Sequence, residues 1–495
     1  MRKNYVGAID LGTTGARFVL FDREAREVTS AYRELPLSTP RPGWVEQDPE
    51  LMIRLALEVI REAIARAGIG AGDIAALGIT VQRETTLVWD RETGRALHPA
   101  IVWQDRRTAP RCEGLRRTHA DLIRDRTGLP PDPYFSATKL EWLLTNVPGL
   151  AEKAEREEVA FGTVDSWLLF RLCGVHATDP TNASRTMLFD IRRLAWDADL
   201  LALFSVPAGI LPEVRPSLSE FGTTRGELFG AEIPVTGVLG DQQAALFGQG
   251  GLFRGGAKVT WGTGAFLLLN TGGEVPTPSR ALLSTVAYTT DKGVAYALEG
   301  SVFVAGAAIQ WLRDLGLISS AAESEGLARS LPGNEGVYFV PALTGLGAPY
   351  WDPYARGTIV GLTRGTTRAH LARAALESIA YQTADIVKAM EAEAGFPLSE
   401  LRVDGGAARN GFLCQFQADI LGIPVVRPEV LETTALGAAL AAGASAGIWE
   451  LADIPELLRV ERRFEPRMSQ RERERLHTGW RAAVERARGF AKELE

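Results

Sequence analysis

An α/β protein built from two related halves is the fold class predicted by this sequence, and three observations predict it. Short apolar runs alternate with longer stretches of helical periodicity, the pattern of α/β folds. Two sequence devices occur in the first half and return in the same order in the second. The chain has 495 residues, well past the roughly 250–300 at which one hydrophobic core stops growing.

The first device is a hairpin. Apolar runs at 6–9 and 16–21 flank the turn Gly12-Thr13-Thr14-Gly15, and the design returns at 258–269 around Gly262-Thr263-Gly264. The second device is a strand that runs into a polar loop. Residues 73–80 lead into Val81-Gln82-Arg83-Glu84, and 399–403 lead into Asp404-Gly405-Gly406-Ala407-Ala408-Arg409-Asn410. Their shared order favours a duplication with its boundary near 240–256, giving domains at 1–248 and 249–495. Helices fill the intervals. Asp48 caps one, with Pro49 at its first position and Gly68 at its end. Its buried stripe is Met52, Leu55, Val59, Ala63 and Ala67. A longer helix is predicted over 367–393, stopped by Gly395. An Ala/Gly-rich one at 433–445 suits close packing, and the polar tail after Pro466 reads as a solvated helix.

Composition narrows the function classes. With 46% hydrophobic and 23% charged residues the chain is an ordinary globular protein. Its 54 basic against 61 acidic residues, net −7, give no basic excess for nucleic acid or an anionic membrane. After Met1-Arg2-Lys3-Asn4-Tyr5 the apolar stretch before Asp10 is only Val6-Gly7-Ala8-Ile9, too short for a signal-peptide apolar region, and no apolar run reaches the roughly 18 residues of a membrane span. The three cysteines, Cys112, Cys173 and Cys414, lie far apart, which supports neither a disulfide framework nor a thiol metal site. The expected location is the cytoplasm.

Three loops carry candidate chemistry. In Asp10-Leu11-Gly12-Thr13-Thr14-Gly15 the glycines free the turn to aim N–H groups at an anion, and Asp10 suits a magnesium partner. The same residues also make a plain hairpin. The turn is neither a P-loop nor a dinucleotide fingerprint, since the Gly-Lys-Ser/Thr ending and the spacing are absent. Asp241, after the apolar run 234–239, stands where open α/β sheets bind ligands, and equally where a helix cap stands. Arg83-Glu84 offers fork donors beside a carboxylate, suited to adjacent hydroxyls, or else an exposed ion pair. Trp103, Tyr134, Trp261 and Phe266 lie beside these loops, as core packing or as the apolar wall of a polyol pocket.

Longer stretches are specific. Gly43-Trp-Val-Glu-Gln-Asp48, Gln82-Arg-Glu-Thr-Thr86, Ile101-Val-Trp-Gln104, Asp132-Pro-Tyr-Phe135 and Thr181-Asn-Ala-Ser-Arg-Thr-Met-Leu-Phe189 occur in order. They continue with Gly240-Asp-Gln-Gln-Ala-Ala-Leu-Phe-Gly-Gln249, Gly345-Leu-Gly-Ala-Pro-Tyr-Trp-Asp-Pro-Tyr-Ala-Arg-Gly357, Leu401-Arg-Val-Asp-Gly-Gly-Ala407 and Thr434-Ala-Leu-Gly-Ala438. On these residues the chain resembles the glycerol-kinase branch of the FGGY carbohydrate kinases, in the actin-like ATPase superfamily. The resemblance implies two ribonuclease-H-like domains flanking a central cleft, ATP/ADP and Mg2+ as cofactors, glycerol as partner, and a homo-oligomer, dimer or tetramer. It implies Asp241 as the base and Arg83, Glu84, Trp103, Tyr134, Asp241, Gln242 and Phe266 as the glycerol site. Thr13, Thr14, Gly15, Arg17 and Thr263 would hold phosphates. Gly306, Gln310, Gly406 and Asn410 would lie along the nucleotide, and Asp10 and Asp241 would serve the metal.

Departures are local. The family's first turn usually reads Asp-Gln-Gly-Thr-Thr-Ser-Ser-Arg, whereas this chain has Leu11, Gly15 and Ala16, so altered ATP and Mg2+ contacts are expected. Enteric relatives bind fructose 1,6-bisphosphate on a glycine-rich basic loop, and some Gram-positive ones are phosphorylated on a histidine. The segment 225–233 is acidic here and Glu227 stands at the histidine position, so neither control is expected. The alternatives are a kinase for another polyol or sugar, an ATPase that works by conformational change, and a sensor without activity.

Overall fold

Two mixed sheets organise the chain, and the computed structural model describes residues 3–277 and 279–494. The first-half strands are β1 (Tyr5–Leu11), β2 (Gly15–Phe21), β3 (Glu27–Glu34), β4 (Ile74–Val81), β5 (Gly222–Thr223) and β6 (Pro234–Gly240). Those of the second half are β7 (Ala257–Trp261), β8 (Ala265–Gly272), β9 (Leu283–Thr290), β10 (Gly293–Val302), β11 (Leu401–Asp404), β12 (Val425–Pro428) and β13 (Val460–Phe464). The helices that matter to the site and its support are α1 (Pro49–Ala67), α2 (Asp241–Gly248), α3 (Gly306–Asp314), α4 (Arg368–Ala394), α5 (Gly411–Leu421), α6 (Thr433–Ser445) and α7 (Gln470–Ala487).

The strand orders are β5-β6-β4-β1-β2-β3 and β9-β10-β8-β7-β11-β12-β13. In each sheet one central strand pairs antiparallel with its hairpin partner on one side and parallel with a later strand on the other. β1 pairs β2 from Val6↔Phe21 to Leu11↔Ala16, and pairs β4 in parallel up to Leu11↔Val81. β7 pairs β8 from Ala257↔Leu269 to Trp261↔Ala265, and pairs β11 in parallel up to Thr260↔Asp404. This repeated pattern is the duplication that the paired devices predicted. Parallel pairing brings both polar loops, at Gln82 and at Gly405, to the same sheet end as the hairpin turn, where open α/β sheets bind ligands.

The helix signals act as predicted. The Asp48 side chain accepts from the Glu50 amide at 2.9 Å, and Gly68 closes α1 at φ 66°. Gly395 closes α4 at φ 73°. α6 belongs to the second half of the sequence, yet it packs on the first sheet. Its backbone comes so near that a Cβ on Gly78 of β4 would lie 2.1 Å from the Ala438 carbonyl oxygen. A Cβ on Gly437 of α6 would lie 1.8 Å from the Ala244 carbonyl oxygen of α2. Only glycine permits such approaches.

One expectation needs correction. The tail helix α7 is not simply solvated: Leu476, Trp480, Ala483, Val484 and Ala487 are buried. Trp480 stacks on Tyr381 at 5.2 Å and donates to Asp385 at 2.7 Å. Its apolar stripe is thin among charges, so composition concealed it. Of the two readings of Trp261, core packing holds. The side chain is fully buried and donates to the Thr383 hydroxyl of α4 at 3.2 Å, since the strand's alternation turns it into the core.

Candidate active site

The two hairpin turns are built alike and differ in length. In the first, the Gly12 amide donates to the Gly15 carbonyl at 2.9 Å, closing four residues between Leu11 and Ala16. In the second, the Gly262 amide donates to the Gly264 carbonyl at 2.9 Å, closing three between Trp261 and Ala265. Thr14 and Thr263 are exposed at the tips. The first turn is held from behind: Trp103 donates to the Thr13 hydroxyl at 2.8 Å, Gln47 to the Thr13 carbonyl at 2.7 Å, and the Tyr32 hydroxyl to the Thr14 carbonyl at 3.1 Å. A Cβ on Gly15 would lie 2.5 Å from the Arg33 carbonyl oxygen and 2.4 Å from the Tyr32 ring. The serine usual in relatives has no room there, which gives that departure a local cause.

The second turn carries the remaining small residues. Ala305 and Ala307 amides donate to the Thr263 carbonyl at 2.9 and 3.1 Å, and the Gly306 amide to the Gly262 carbonyl at 2.9 Å. Gly405, at φ 83°, backs against Trp261, where a Cβ would meet the Trp261 carbonyl oxygen at 2.5 Å. A Cβ on Gly406 would meet nothing within 4 Å, so its backbone lines open space. Gln310 lies exposed on α3, on the same helix as Gly306, and bonds to Asp314 at 2.6 Å. Asn410 spends its Oδ1 capping α5 through the Leu413 amide at 3.0 Å and its Nδ2 on Ser324 at 3.3 Å. A nucleotide there would meet mainly main chain.

Asp241 opens α2 at the end of β6, its side chain 29% exposed, where the helix dipole favours a carboxylate. Arg83 Nε approaches its Oδ1 at 3.1 Å. The fork of Arg83 is held elsewhere: Nη1 and Nη2 donate to Glu299 of β10 at 2.6 and 3.0 Å, and Nη1 also to Gln243 at 3.1 Å. Glu84, at φ 62°, is 3.9 Å from Arg83 but bonds to Arg185 at 2.6 Å, and Arg185 reaches Glu299 at 3.2 Å. The predicted Arg83–Glu84 pair is therefore a four-member buried cluster that spans both halves. Burial alone would raise the Glu299 carboxyl, yet Arg185 and Arg83 pull it down to about 2. One Arg83 Nη2 hydrogen has no partner among the described residues.

Aromatic residues wall this cluster. Tyr134 lies 5.5 Å from Trp103, edge to face, and the Arg185 guanidinium sits 5.5 Å over the Tyr134 ring. Phe266 is half-buried on β8, and its carbonyl together with Gln242 is contacted by the buried Lys258. Beyond Asp241, the Asp10 carboxyl is pushed up to about 7, first by burial and then by the Asp241 carboxylate, with Arg17 opposing. Arg17 pairs with Glu432 at 2.8 Å. Two neighbouring acids, one pushed up by the charge of the other, would suit a hydrated divalent cation. Among the described residues no group of three or more His, Cys, Asp or Glu that could hold a metal ion collects.

All the predicted polyol residues thus share one junction between the sheets, and the two turns flank it. Arg185, Glu299, Gln243 and Lys258 were missed. Glu299 and Lys258 had a signal, because a lone charge inside an apolar strand is costly unless paired. Residues 5–248 match the FGGY family of carbohydrate kinases, N-terminal domain, and residues 257–446 match its C-terminal domain. A glycerol kinase of Thermus brockianus is 58% identical over 492 residues, covering 99% of each chain. One of Deinococcus radiodurans is 53% identical over 495 residues, again covering 99% of each. The crystal structure of Plasmodium falciparum glycerol kinase with ADP superposes with a TM-score of 0.93 at 36% identity, covering 98% of each chain. With both domain matches and full-length relatives above half identity, the chain belongs to the FGGY family of carbohydrate kinases.

Proposed function

We propose that this chain transfers the γ-phosphoryl group of ATP to a terminal hydroxyl of glycerol, giving sn-glycerol 3-phosphate and ADP. The observation that carries the reading is the placement of Asp241. It stands at a helix N-terminus at the end of the first sheet, contacted by an arginine whose fork the second sheet holds. In this reading Asp241 takes the proton of the attacking hydroxyl. Arg83, Glu84 and Gln242 fix the hydroxyls, while Trp103, Tyr134 and Phe266 cover the carbon face. Thr13, Thr14, Gly15, Arg17 and Thr263 hold phosphates; Gly306, Gln310, Gly406 and Asn410 line the nucleotide.

Phosphoryl transfer needs mostly positioning and charge stabilisation. Mg2+ held near Asp10 and Asp241 supplies charge neutralisation on the phosphates. The chain's own residues do the rest: the clamped Arg83 donor orients the acceptor, and the two turns aim backbone N–H groups. A general base adds about 10²–10⁴-fold. The proposal gives residues 1–248 the polyol site and first turn, and 249–495 the nucleotide site. It places a homo-oligomer, dimer or tetramer, in the cytoplasm. It assigns the segment with the short helix Gly226–Phe229 no phosphate-ligand control, since Glu227 and Glu232 supply the wrong charge.

A coupled assay of ADP production with and without glycerol tests the reading, with pentuloses and other polyols as parallel acceptors. ADP release that rises with glycerol above all other acceptors supports it. Release indifferent to any acceptor points to an ATPase and overturns it.

A further inference from the structure

Lys258 lies on β7 and is fully buried. Its side chain leaves the second sheet for the first turn of α2. Nζ donates to Gln242 Oε1 at 2.5 Å, to the Thr260 hydroxyl at 2.9 Å and to the Phe266 carbonyl at 3.4 Å. Those contacts match the three donors of an ammonium, so the cation has none left for a substrate. It nonetheless touches two members of the polyol site, the side chain of Gln242 and the main chain of Phe266. Burial pushes the ammonium down to about 8, while Asp404, Asp241 and Glu299 oppose that fall, so it is charged at neutral pH.

The contact decides which way the Gln242 amide faces. An amide has one acceptor oxygen and two N–H donors. The reversed amide would set its own N–H groups against the ammonium, so only one orientation survives. With Oε1 taken, the NH2 group is the part left free, and among the described residues no acceptor bonds to it. Gln242 is consequently a donor to whatever occupies the pocket.

We infer that Lys258 is a positioning residue for the acceptor polyol. From the second half of the chain it locks the Gln242 amide with its NH2 group toward the substrate. It thereby ties hydroxyl recognition on α2 to the sheet that bears the second phosphate turn. The inference rests on the reading of Gln242 as a polyol ligand. A charge-assisted bond is about twice as strong as a neutral one, so losing it should cost about tenfold in acceptor binding.

The test is a double-mutant cycle of Lys258→Met and Gln242→Ala, read by steady-state kinetics with glycerol and ATP varied separately, beside thermal melts. Lys258→Met should raise the glycerol KM about tenfold while the ATP KM and kcat change much less. The double variant should be no worse than Gln242→Ala in kcat/KM for glycerol. Fully additive losses, or an ATP KM that rises as much as that for glycerol, overturn the inference. Should Lys258→Met fail to fold, Gln242→Glu keeps the ammonium paired while replacing the amide donor by a carboxylate beside Asp241. It should melt like the wild type and lose as much glycerol affinity as Gln242→Ala; wild-type affinity overturns the inference. The wild type is assayed alongside, and if it prefers another polyol, the cycle runs with that acceptor. Failure of the glycerol reading is then distinct from failure of the Lys258–Gln242 coupling.

Discussion

Replacing Asp241 by asparagine isolates basicity from shape. The side chain keeps its size, and an amide oxygen at the Oδ1 position still accepts from the Gln242 backbone N–H at 2.7 Å and from Arg83 at 3.1 Å. Arg83 cannot drift, because Glu299 grips both its Nη atoms and Gln243 one of them. The glycerol KM should therefore change by no more than about threefold, the scale of one weakened hydrogen bond. What vanishes is the proton acceptor. Its loss should lower kcat by about 10²–10⁴-fold, or roughly 3–6 kcal/mol of barrier at about 1.4 kcal/mol per tenfold. Fold stability should change little, since losing the Asp241 charge relieves Asp10 but weakens the pair with Arg83. The assay is glycerol-dependent ADP release at saturating ATP, with ADP binding by calorimetry and a thermal melt as controls. A folded Asp241→Asn enzyme within tenfold of wild-type kcat refutes the base assignment.

Three further outcomes follow from the geometry. His176, edge-on to Trp89 and bonded to the Phe161 carbonyl at 2.8 Å, is pushed down to about 4, first by burial. A base lowered in the fold binds fewer protons folded than unfolded, so its contribution is intact above 6.5 and shrinks as pH falls toward 4. His176→Phe should thus be about 2 kcal/mol less destabilising at pH 5 than at pH 7.5 in urea unfolding; an equal gap at both pH values contradicts the shift. Gly437→Val should lower the melting temperature through overpacking worth about 1–3 kcal/mol or more, and raise the glycerol KM, because α2 carries Asp241 and Gln242; an unshifted melt contradicts the close approach. Gly15→Ser should destabilise the first turn against Arg33 and raise the ATP KM, and unchanged ATP kinetics would show that the turn tolerates a side chain there.

How far the sequence reached depended on whether a signal was local. Hairpin turns, caps and strand-to-loop ends are written in neighbouring residues, so the two sheets and the helices α1, α4 and α6 were legible. The partners of Arg83 were not. Arg83 and Glu84 are adjacent in sequence and invite pairing, but successive residues point apart, and Glu84 adopts a positive φ that carries its carboxylate to Arg185. Glu299, on β10, fills the place left beside Arg83. A buried charge needs opposite charge on every open side, and nothing in the order of the residues says which distant strand provides it. The same holds for Lys258, whose acceptors Gln242 and Phe266 come from α2 and β8. Long-range charge pairing at the junction of the two halves is therefore the part of this site that folding alone reveals. At that junction two residues of the second sheet reach across to the first half: Glu299 grips the fork of Arg83, and Lys258 holds the side-chain oxygen of Gln242.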